Sequence, residues 1–441
     1  MAGGTWVDQN KVRPGVYINY KSAPASLASM GERGTVAIGW VSDWVASGAF
    51  YVIEDPSDCE KLGHAITDDE MLFVRQILKG TNRTNGAKKI LVYTLAPTGA
   101  VAATKTLGNL IATAKNAGTF GNNLSVSIVA VDTTFEVTTY LKGEAVDVQT
   151  GDAVADLSDN DWVAFTGTGV LAAGSGALVG GANGTANSTA YASFLSALQT
   201  ESFDVVIYDG TDATVKSLVA DFVKSQSNNE GNKCQAVMSD YASADNECVI
   251  SVYPQSITLI DGTILSAGEV CWWVGGATAG ANVNESLTYA NHPDAADVSP
   301  KLTASQQEAA ITAGKFAFIA QFEKIQVLTD INTFTSFSTN KGRAFRKNRV
   351  VRTVFGLCND IYKAFALYYI GVTDNDEEGR KSLKGEILNI MDRYQGNRAL
   401  QNVVTDDVTV LKGVDSDAVV IEIYCQPVDS IEKIYINITI S

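Results

Sequence analysis

Strands and helices alternate in two separate stretches of this chain. In residues 21–96 the sequence predicts a strand at 35–41, an acid-capped helix at 68–79 and a second strand at 89–95. The same alternation resumes from residue 188 to residue 345. Because this pattern is typical of a mostly parallel sheet covered by helices, we expect both stretches to form one α/β core.

The residues between these stretches have a different texture. From residue 97 to residue 187 the composition shifts to Thr, Val, Ala and Gly, and runs of alternating apolar and polar residues occur at 124–131 and 135–141. Helical patterning is weak there, and the Gly-rich residues 167–184 close the segment. This pattern predicts an all-β domain of about 90 residues inserted into the α/β core.

The last section of the chain predicts a smaller α+β domain over residues 346–429. A long helix at 346–370 carries apolar residues at helical spacing, namely Val350, Val354, Leu357, Ile361 and Phe365. A second helix at 376–394 and strands at 407–411 and 419–426 complete the domain. The fold class is therefore multidomain, α/β and α+β, with an inserted β domain.

The C-terminal residues 430–441 predict a strand with one apolar face. Ile434, Ile436, Ile438 and Ile440 alternate with polar residues and with Tyr435. Two interpretations remain open at this point. The strand closes a hairpin with residues 419–426 through a turn at 427–430, or it leaves the domain as an arm that pairs with another molecule.

The N-terminal residues 1–20 form a second candidate arm. Val16 and Ile18 alternate with Tyr17 and Asn19 behind a Pro-Gly bend, which predicts a short strand. Little sequence lies nearby for this strand to pair against. Both ends of the chain therefore predict strands that are available to a partner.

Charge and composition exclude several classes of protein. The 441 residues carry a formal net charge of -16, which opposes nucleic-acid binding because phosphate contact needs a basic face. No apolar run approaches the roughly 20 residues that span a bilayer, and no secretion signal begins the chain. We therefore expect a cytoplasm-like compartment and no membrane insertion. The six cysteines are scattered, so we expect buried thiols and not a metal site.

No constellation of residues predicts catalysis. The two histidines, His64 and His292, are far apart and lack a neighbouring Ser or Cys, so we expect each to be a loop or surface residue. Residues 374–379 begin like a calcium loop, but the twelfth position is Gly385, and a helix N-cap is the better interpretation. Residues 167–172 match a dinucleotide fingerprint only loosely. We expect no cofactor and no enzyme activity.

A basic cluster precedes and begins the long helix. Its members are Lys341, Arg343, Arg346, Lys347, Arg349 and Arg352. Cations are disfavoured at a helix N-terminus by the helix dipole, which suggests an external reason for the cluster. A solvated basic face is one interpretation, and a docking patch for an acidic protein surface is the other.

Several segments together resemble the tail sheath proteins of contractile bacteriophage tails, including those of related contractile injection particles and R-type bacteriocins. In the first three quarters of the chain they are Arg13-Pro-Gly-Val-Tyr-Ile18, Gly118-Thr-Phe-Gly-Asn-Asn-Leu-Ser-Val126 and Val327-Leu-Thr-Asp-Ile-Asn-Thr-Phe-Thr335. In the C-terminal part they are Asn348-Arg-Val-Val-Arg-Thr-Val354 and Tyr369-Ile-Gly-Val-Thr-Asp-Asn375 with Gly379-Arg380. The segments keep their order and spacing over nearly the whole chain.

The resemblance implies a mechanical function. Many copies would form stacked rings around an inner tail tube protein, joined to baseplate and tail terminator proteins. Contraction of this helical sheath would drive the tube through the target envelope. The particle would be a virion tail or a related contractile particle, assembled in the cytoplasm of the bacterial host.

The resemblance also implies roles for particular residues. The arms of one subunit would add strands to the C-terminal domains of its neighbours. The arm residues would be Val16, Tyr17, Ile18, Ile434, Tyr435, Ile436, Ile438 and Ile440. The accepting strand would carry Val419, Ile421 and Ile423, and the candidates to face the tube are Arg346, Lys347 and Arg349.

Two other classes of protein share parts of this pattern. A nucleotide-binding α/β enzyme would show the same alternation of strands and helices. Another lattice-forming structural protein would also need arms, although a surface-layer protein would require a secretion signal.

Overall fold

The computed structural model describes residues 33–440 and the backbone of two short strands, Gly3–Gly4 and Val16–Tyr17. The chain divides into two compact units. One contains residues 32–356 and 428–441, and the other contains residues 357–427 together with residues 1–31. Within the described residues, no helix is long and apolar enough to cross a membrane.

A seven-stranded sheet forms the centre of the larger unit. Its strands lie in the order Lys315–Phe316, Val249–Val252, Gln235–Ser239, Val205–Tyr208, Thr35–Trp40, Lys89–Thr94 and Phe50–Ile53. Every neighbouring pair is parallel except the last, in which Phe50–Ile53 runs antiparallel to Lys89–Thr94. The predicted α/β core is confirmed, and its two sequence stretches contribute to one sheet.

Helices cover both faces of this sheet because successive side chains of a strand point to opposite faces. Val36 and Ile38 pack on one face with Leu72–Leu78 and Val270–Gly280, whereas Ala37 packs on the other with Ser188–Leu198 and Ala213–Ser225. The first pair of helices approaches closely at Gly276. A Cβ atom there would lie 2.0 Å from the carbonyl oxygen of Ile77.

Smaller elements complete the α/β part of this unit. The helix Ala304–Thr312 follows a capping box at Thr303. A three-stranded antiparallel sheet contains Ile264–Leu265, Ser256–Leu259 and Ala295–Ser299, and a hairpin joins Phe318–Gln321 to Lys324–Val327. Ser256–Leu259 and Ile264–Leu265 are joined by a turn at Asp261 and Gly262, and Gly262 has the positive φ of +91° that such a turn requires.

The inserted segment forms a β domain of two antiparallel sheets. One sheet has the order Glu144–Gly151, Thr134–Leu141, Leu124–Val131, Gly174–Ala177, and the other has the order Val163–Gly167, Leu110–Ala114, Thr104–Leu107. Leu110, Leu124, Val126 and Val163 share one apolar core between the sheets. Residues 168–172 follow a strand and begin no helix, so the dinucleotide interpretation is wrong.

Two helices and a strand pair form the described part of the smaller unit. The helix Asn348–Tyr368 begins in the larger unit and ends here, and Glu377–Gly396 follows. Val408–Lys412 pairs antiparallel with Val419–Ile423. Asp376 accepts a hydrogen bond of 2.7 Å from the N–H of Gly379, which confirms the predicted helix cap.

The predicted C-terminal strand is absent from the described residues, whereas the predicted N-terminal strand is present at Val16–Tyr17. Residues 428–440 contain no strand, and Val419–Ile423 pairs with the preceding strand Val408–Lys412, so the C-terminal hairpin is wrong. Val16–Tyr17 has a local partner after all, because it pairs parallel with Gly3–Gly4. Ile18 lies outside the described residues.

His292 lies in a loop, as expected from the sequence, but its side chain is buried in the core and not at the surface. Its Nε2 lies 2.9 Å from Oε1 of Gln76, its Nδ1 accepts from the N–H of Asp294, and its ring centroid lies 4.9 Å from that of Trp273. Burial, with a smaller contribution from Lys79, lowers the pKa of His292 to about 4. The folded protein therefore holds a neutral imidazole here.

The substitution His292→Gln should flatten the dependence of stability on pH. The folded-state pKa lies below the unfolded value of about 6.5, so acid protonates the unfolded chain first and stability is lost as the pH falls from about 6.5 to about 4. The full loss from this one group is about 3 kcal/mol. Urea denaturation of both proteins at pH 7 and pH 4.5 measures it. An equal loss in both proteins would contradict the assignment.

Candidate assembly site

The basic segment predicted from the sequence lies on the larger unit, where three of its six basic side chains pair with acids. The side chain of Lys341 pairs with Glu247, and that of Lys347 pairs with Glu432. Arg352 is completely buried, with Nη2 3.6 Å from Oδ2 of Asp330. The interpretation of the cluster as a solvated face is therefore wrong for Arg352, because its side chain is buried against Asp330.

Asp330 is the centre of a buried polar network. Its Oδ1 accepts from Nδ2 of Asn348 at 2.8 Å, and its Oδ2 accepts from the N–H of Leu287 at 3.0 Å. Nη1 of Arg352 donates to the carbonyl oxygen of Glu285 at 2.7 Å. Burial lowers the pKa of Arg352, and the negative charge of Asp330 opposes that shift. The first turn of the long helix is thus fixed to the larger unit by a neutralised ion pair.

Arg346 is also buried, with 6% of its surface exposed. Its Nε and Nη2 donate no hydrogen bond within the described part of the chain, and neither does Nε of the half-buried Arg349. Burial lowers the pKa of both side chains. The solvated-face interpretation is wrong for Arg346 as well. Tube contact by Arg346, Lys347 and Arg349 stays a prediction. Arg346 is buried and Lys347 is paired with Glu432, so Arg349 is the most accessible of the three among those with an unsatisfied nitrogen.

Glu432 holds the beginning of the C-terminal arm, which we define as residues 433–441. Its Oε1 accepts a hydrogen bond of 2.8 Å from Oγ1 of Thr288, and its other oxygen pairs with Lys347. Oγ1 of Thr288 also accepts from the N–H of Asp330 at 2.9 Å, so the anchor adjoins the buried network. Sequence reasoning missed Glu432, although it is the lone acid of the isoleucine-rich segment.

Beyond this anchor, the described part of the C-terminal arm exposes its apolar side chains. The isoleucines at 434, 436, 438 and 440 are 74–91% exposed, and Tyr435 is 90% exposed. A soluble protein rarely leaves so many large apolar side chains in one run uncovered. These residues therefore have the alternation of a strand with one apolar face, but the described residues provide no surface that covers this face.

The smaller unit contains a strand with an unpaired edge. Among the described residues, Val419–Ile423 pairs only with Val408–Lys412, so one edge of this two-stranded sheet lacks a partner. Val420, Ile423 and Tyr424 are exposed near that edge. The same unit also exposes an apolar group that the sequence analysis missed, made of Tyr362, Leu367, Tyr368, Ile370 and Val372. An unpaired edge with apolar surroundings favours strand addition by another chain.

Comparison with known domain families identifies the class of protein. The phage tail sheath central domain matches residues 184–333, the sheath C-terminal domain matches 340–441, and the sheath β-sandwich domain matches 85–183. The three domains together define a structural protein of phage-type tails.

Individual relatives agree over the full length. The Bacillus subtilis phage-like element PBSX protein XkdK is 32% identical, with complete coverage of both chains. The crystal structure of a sheath tail protein from Desulfitobacterium hafniense is 40% identical with a TM-score of 0.82, covering 96% of this chain and 99% of its own. A Listeria innocua sheath tail protein is 30% identical with a TM-score of 0.73, covering 93% and 95%. This chain belongs to the phage tail sheath protein family.

More distant structures share the fold. The contracted helical sheath of the anti-feeding prophage has a TM-score of 0.58 at 15% identity, covering 97% of this chain and 98% of that one. The sequence-based predictions of the family, the fold class and a sheath subunit are therefore confirmed.

The substitution Asp330→Asn should destabilise the larger unit by about 3 kcal/mol, because it leaves Arg352 as an unpaired buried cation. The matched control is Glu377→Gln, which removes one partner of an exposed pair with Lys381 and should leave stability unchanged within error. Chemical denaturation of the three proteins compares them. Equal stability of Asp330→Asn and the native protein would show that the pair is neutral in effect.

Proposed function

We propose that this chain polymerises helically around an inner tube protein and that the resulting sheath contracts to drive the tube through a target cell envelope. The observation that carries the proposal is the C-terminal arm, exposed beyond Glu432, together with a strand edge of the smaller unit that is unpaired among the described residues. When each copy donates its arm as a strand to the open strand edge of the next copy, the contact is heterologous. Repeated contacts of this type generate rings or helices.

The arm has the chemistry that strand addition needs. In an added strand the four isoleucines would face one way, and the polar residues between them would face the other. We infer that they cover Val419, Ile421 and Ile423 of a neighbouring copy. Each main-chain hydrogen bond contributes roughly 0.5–1.5 kcal/mol net, and burial of the isoleucines adds to this. Ordering the arm opposes both terms, so the contact gains its strength from repetition along the lattice.

We propose the same role for the N-terminal arm residues Val16, Tyr17 and Ile18. The pairing of Val16–Tyr17 with Gly3–Gly4 gives this segment a short local ladder. A two-residue ladder is too short for independent stability, and this favours extension on another molecule.

The remaining partners belong to the same proposal. The sheath would end on baseplate and tail terminator proteins, and assembly would take place in the cytoplasm of the bacterial host. The net charge of -16 disfavours direct contact with nucleic acid. Family membership favours a mechanical role without catalysis, a cofactor or membrane insertion.

Deletion of residues 433–441 should abolish polymerisation and leave the melting temperature of the monomer unchanged. The physical reason is that the described residues of this arm lie exposed and outside any strand. Electron microscopy, sedimentation and thermal melting of the same sample measure both effects.

A full-length variant separates the effect of the apolar side chains on assembly from the effect of the length of the arm. Replacing Ile434, Ile436, Ile438 and Ile440 by Ser should also prevent tubes, whereas the control Asn437→Ser with Thr439→Ser should form them. A truncated monomer that melts at a much lower temperature would refute the arm proposal, because it would reveal an internal structural role.

Tube contact can be tested at Arg349, whose Nε donates no hydrogen bond to any residue that the structure describes. The substitution Arg349→Glu should weaken co-assembly with purified tube protein several-fold at low salt and spare sheath self-association. The matched charge reversal Lys363→Glu, outside the basic segment, should leave tube binding unchanged. Equal tube binding by Arg349→Glu and the native protein would remove this residue from the tube interface.

A further inference from the structure

His64 lies where the inserted β domain meets the α/β core. It is in a loop, as expected from the sequence, but its side chain is buried. Its neighbour Asp43 follows the strand Thr35–Trp40, and the carbonyl oxygen of Asp43 accepts from the N–H of Phe120 in the inserted domain. A Cβ atom on Gly118 would lie 1.8 Å from the same carbonyl oxygen, so the two backbones are in direct contact. The side chain of His64 thus lies at the junction of the two domains.

Three carboxylates surround the imidazole of His64. Nε2 lies 2.8 Å from Oδ1 of Asp43, and both residues are only 4% exposed. Nδ1 lies 3.4 Å from Oδ2 of Asp68 and 3.7 Å from Oε2 of Glu70. This nitrogen is buried, and no described residue forms a hydrogen bond of ordinary geometry with it. Its interaction with Asp68 and Glu70 is therefore electrostatic.

These contacts favour a doubly protonated ring. In a neutral imidazole that donates from Nε2 to Asp43, the lone pair of Nδ1 would face the two other carboxylates. A second proton turns this repulsion into attraction, because both nitrogens of an imidazolium carry hydrogen. Burial lowers the pKa of His64, but Asp43, Glu70 and Asp68 outweigh burial and raise the pKa above its ordinary value.

The described residues place two cations beside these carboxylates. Nζ of Lys142, in the inserted domain, lies 3.9 Å from Oδ2 of Asp68. Nη1 of Arg75 donates to the carbonyl oxygen of Asp68 at 2.6 Å. The thiol of Cys59, whose carbonyl oxygen accepts from the N–H of His64, stays neutral because burial raises its pKa to about 11. The three carboxylates and two cations are balanced only when His64 carries a positive charge.

Aromatic rings enclose the same junction. The ring of Phe120 lies edge-on to that of His64 with centroids 5.5 Å apart, and the ring of Trp40 lies edge-on to it at 6.5 Å. Trp44 stacks on Trp162 of the inserted domain with centroids 5.6 Å apart. Because these rings and the burial of His64 keep water away, the nearby carboxylates and not the solvent balance a charge on the imidazole.

We propose that the positive charge of His64 is a pH-sensitive switch at the contact between the inserted β domain and the α/β core. While the ring is charged, it holds the three carboxylates together, and two of the residues that carry them contact Phe120 and Lys142 of the inserted domain. When Nδ1 loses its proton, the carboxylates face a neutral ring and repel one another. The loop of Asp43 and residues 68–70 then loosen, and the inserted domain is held less firmly while the seven-stranded sheet stays folded. This switch does not depend on assembly of the sheath.

The direction of the pH dependence follows from the raised pKa of His64. The charged ring stabilises the folded junction fully below the unfolded pKa of about 6.5, and this contribution is lost as the pH rises through the higher folded-state pKa. His292 acts in the opposite direction, since its contribution is lost as the pH falls. The effects of the two histidines are therefore separable by pH.

The test is a pH titration of the full-length monomer from about pH 5.5 to about pH 9. Nuclear magnetic resonance of labelled histidine follows both imidazoles, and the variant His292→Gln assigns the His64 signal. Hydrogen exchange, corrected for its intrinsic dependence on pH, follows the amides of residues 68–70 and 118–123. We expect His64 to lose its proton above its ordinary pKa of about 6.5. Protection of both segments should fall several-fold with the same midpoint, while residues 35–40 of the central sheet remain protected.

Variants separate the charge of His64 from the packing of its side chain. Glu70→Gln should lower the midpoint of the His64 titration and the midpoint of loosening together, because it removes one neighbouring negative charge. The side chain of Glu70 is half exposed, so this variant remains informative even where His64→Gln fails to fold. The matched control Glu60→Gln changes an exposed acid on the preceding 3-10 helix and should leave both midpoints unchanged.

Two outcomes would overturn the proposal. A His64 ring that titrates at or below the ordinary pKa of about 6.5 would show that the carboxylates do not retain the second proton. Constant protection of residues 118–123 while His64 loses its proton would show that the charge does not hold the inserted domain.

Discussion

The buried carboxylate of Asp330 connects the start of the long helix to the loop at Leu287 in the larger unit. This carboxylate accepts hydrogen bonds from Asn348 and from the backbone of Leu287, and it neutralises Arg352. The backbone N–H of Asp330 donates to the hydroxyl of Thr288, which in turn donates to Glu432. A buried charge of this kind is tolerated only when every partner is present. The start of the long helix and the root of the C-terminal arm are therefore held by one shared set of bonds.

Local patterns in the sequence were sufficient to predict the architecture. The alternation of strands and helices predicted the α/β core, and the change of composition at residue 97 predicted a β domain. These signals are local because the period of apolar residues reports which face of an element is covered. The cap at Asp376 and the turn at Gly262 were predictable for the same reason, since each depends on residues only a few positions apart.

The environment of single polar residues was not predictable. Arg352 is buried because Asp330 and Glu285 lie beside it, and both come from distant parts of the chain. His64 and His292 lie in loops, as expected, but their burial was not predictable, because it depends on Asp43 and Gln76 as hydrogen-bond partners. The pairing of the C-terminal residues was not predictable for a different reason. A period of two describes a strand equally well whether its partner belongs to the same chain or to another.

The anchor at Glu432 fixes a length. When extended, residues 433–441 span about 30 Å from this anchor. Any surface that the arm covers must lie within that radius of Thr288 and Lys347, in every arrangement that neighbouring copies adopt. In the proposed sheath, this tether would limit how far two linked copies separate or rotate, and a rearrangement that exceeds this radius would break either the added strand or the bonds of Glu432.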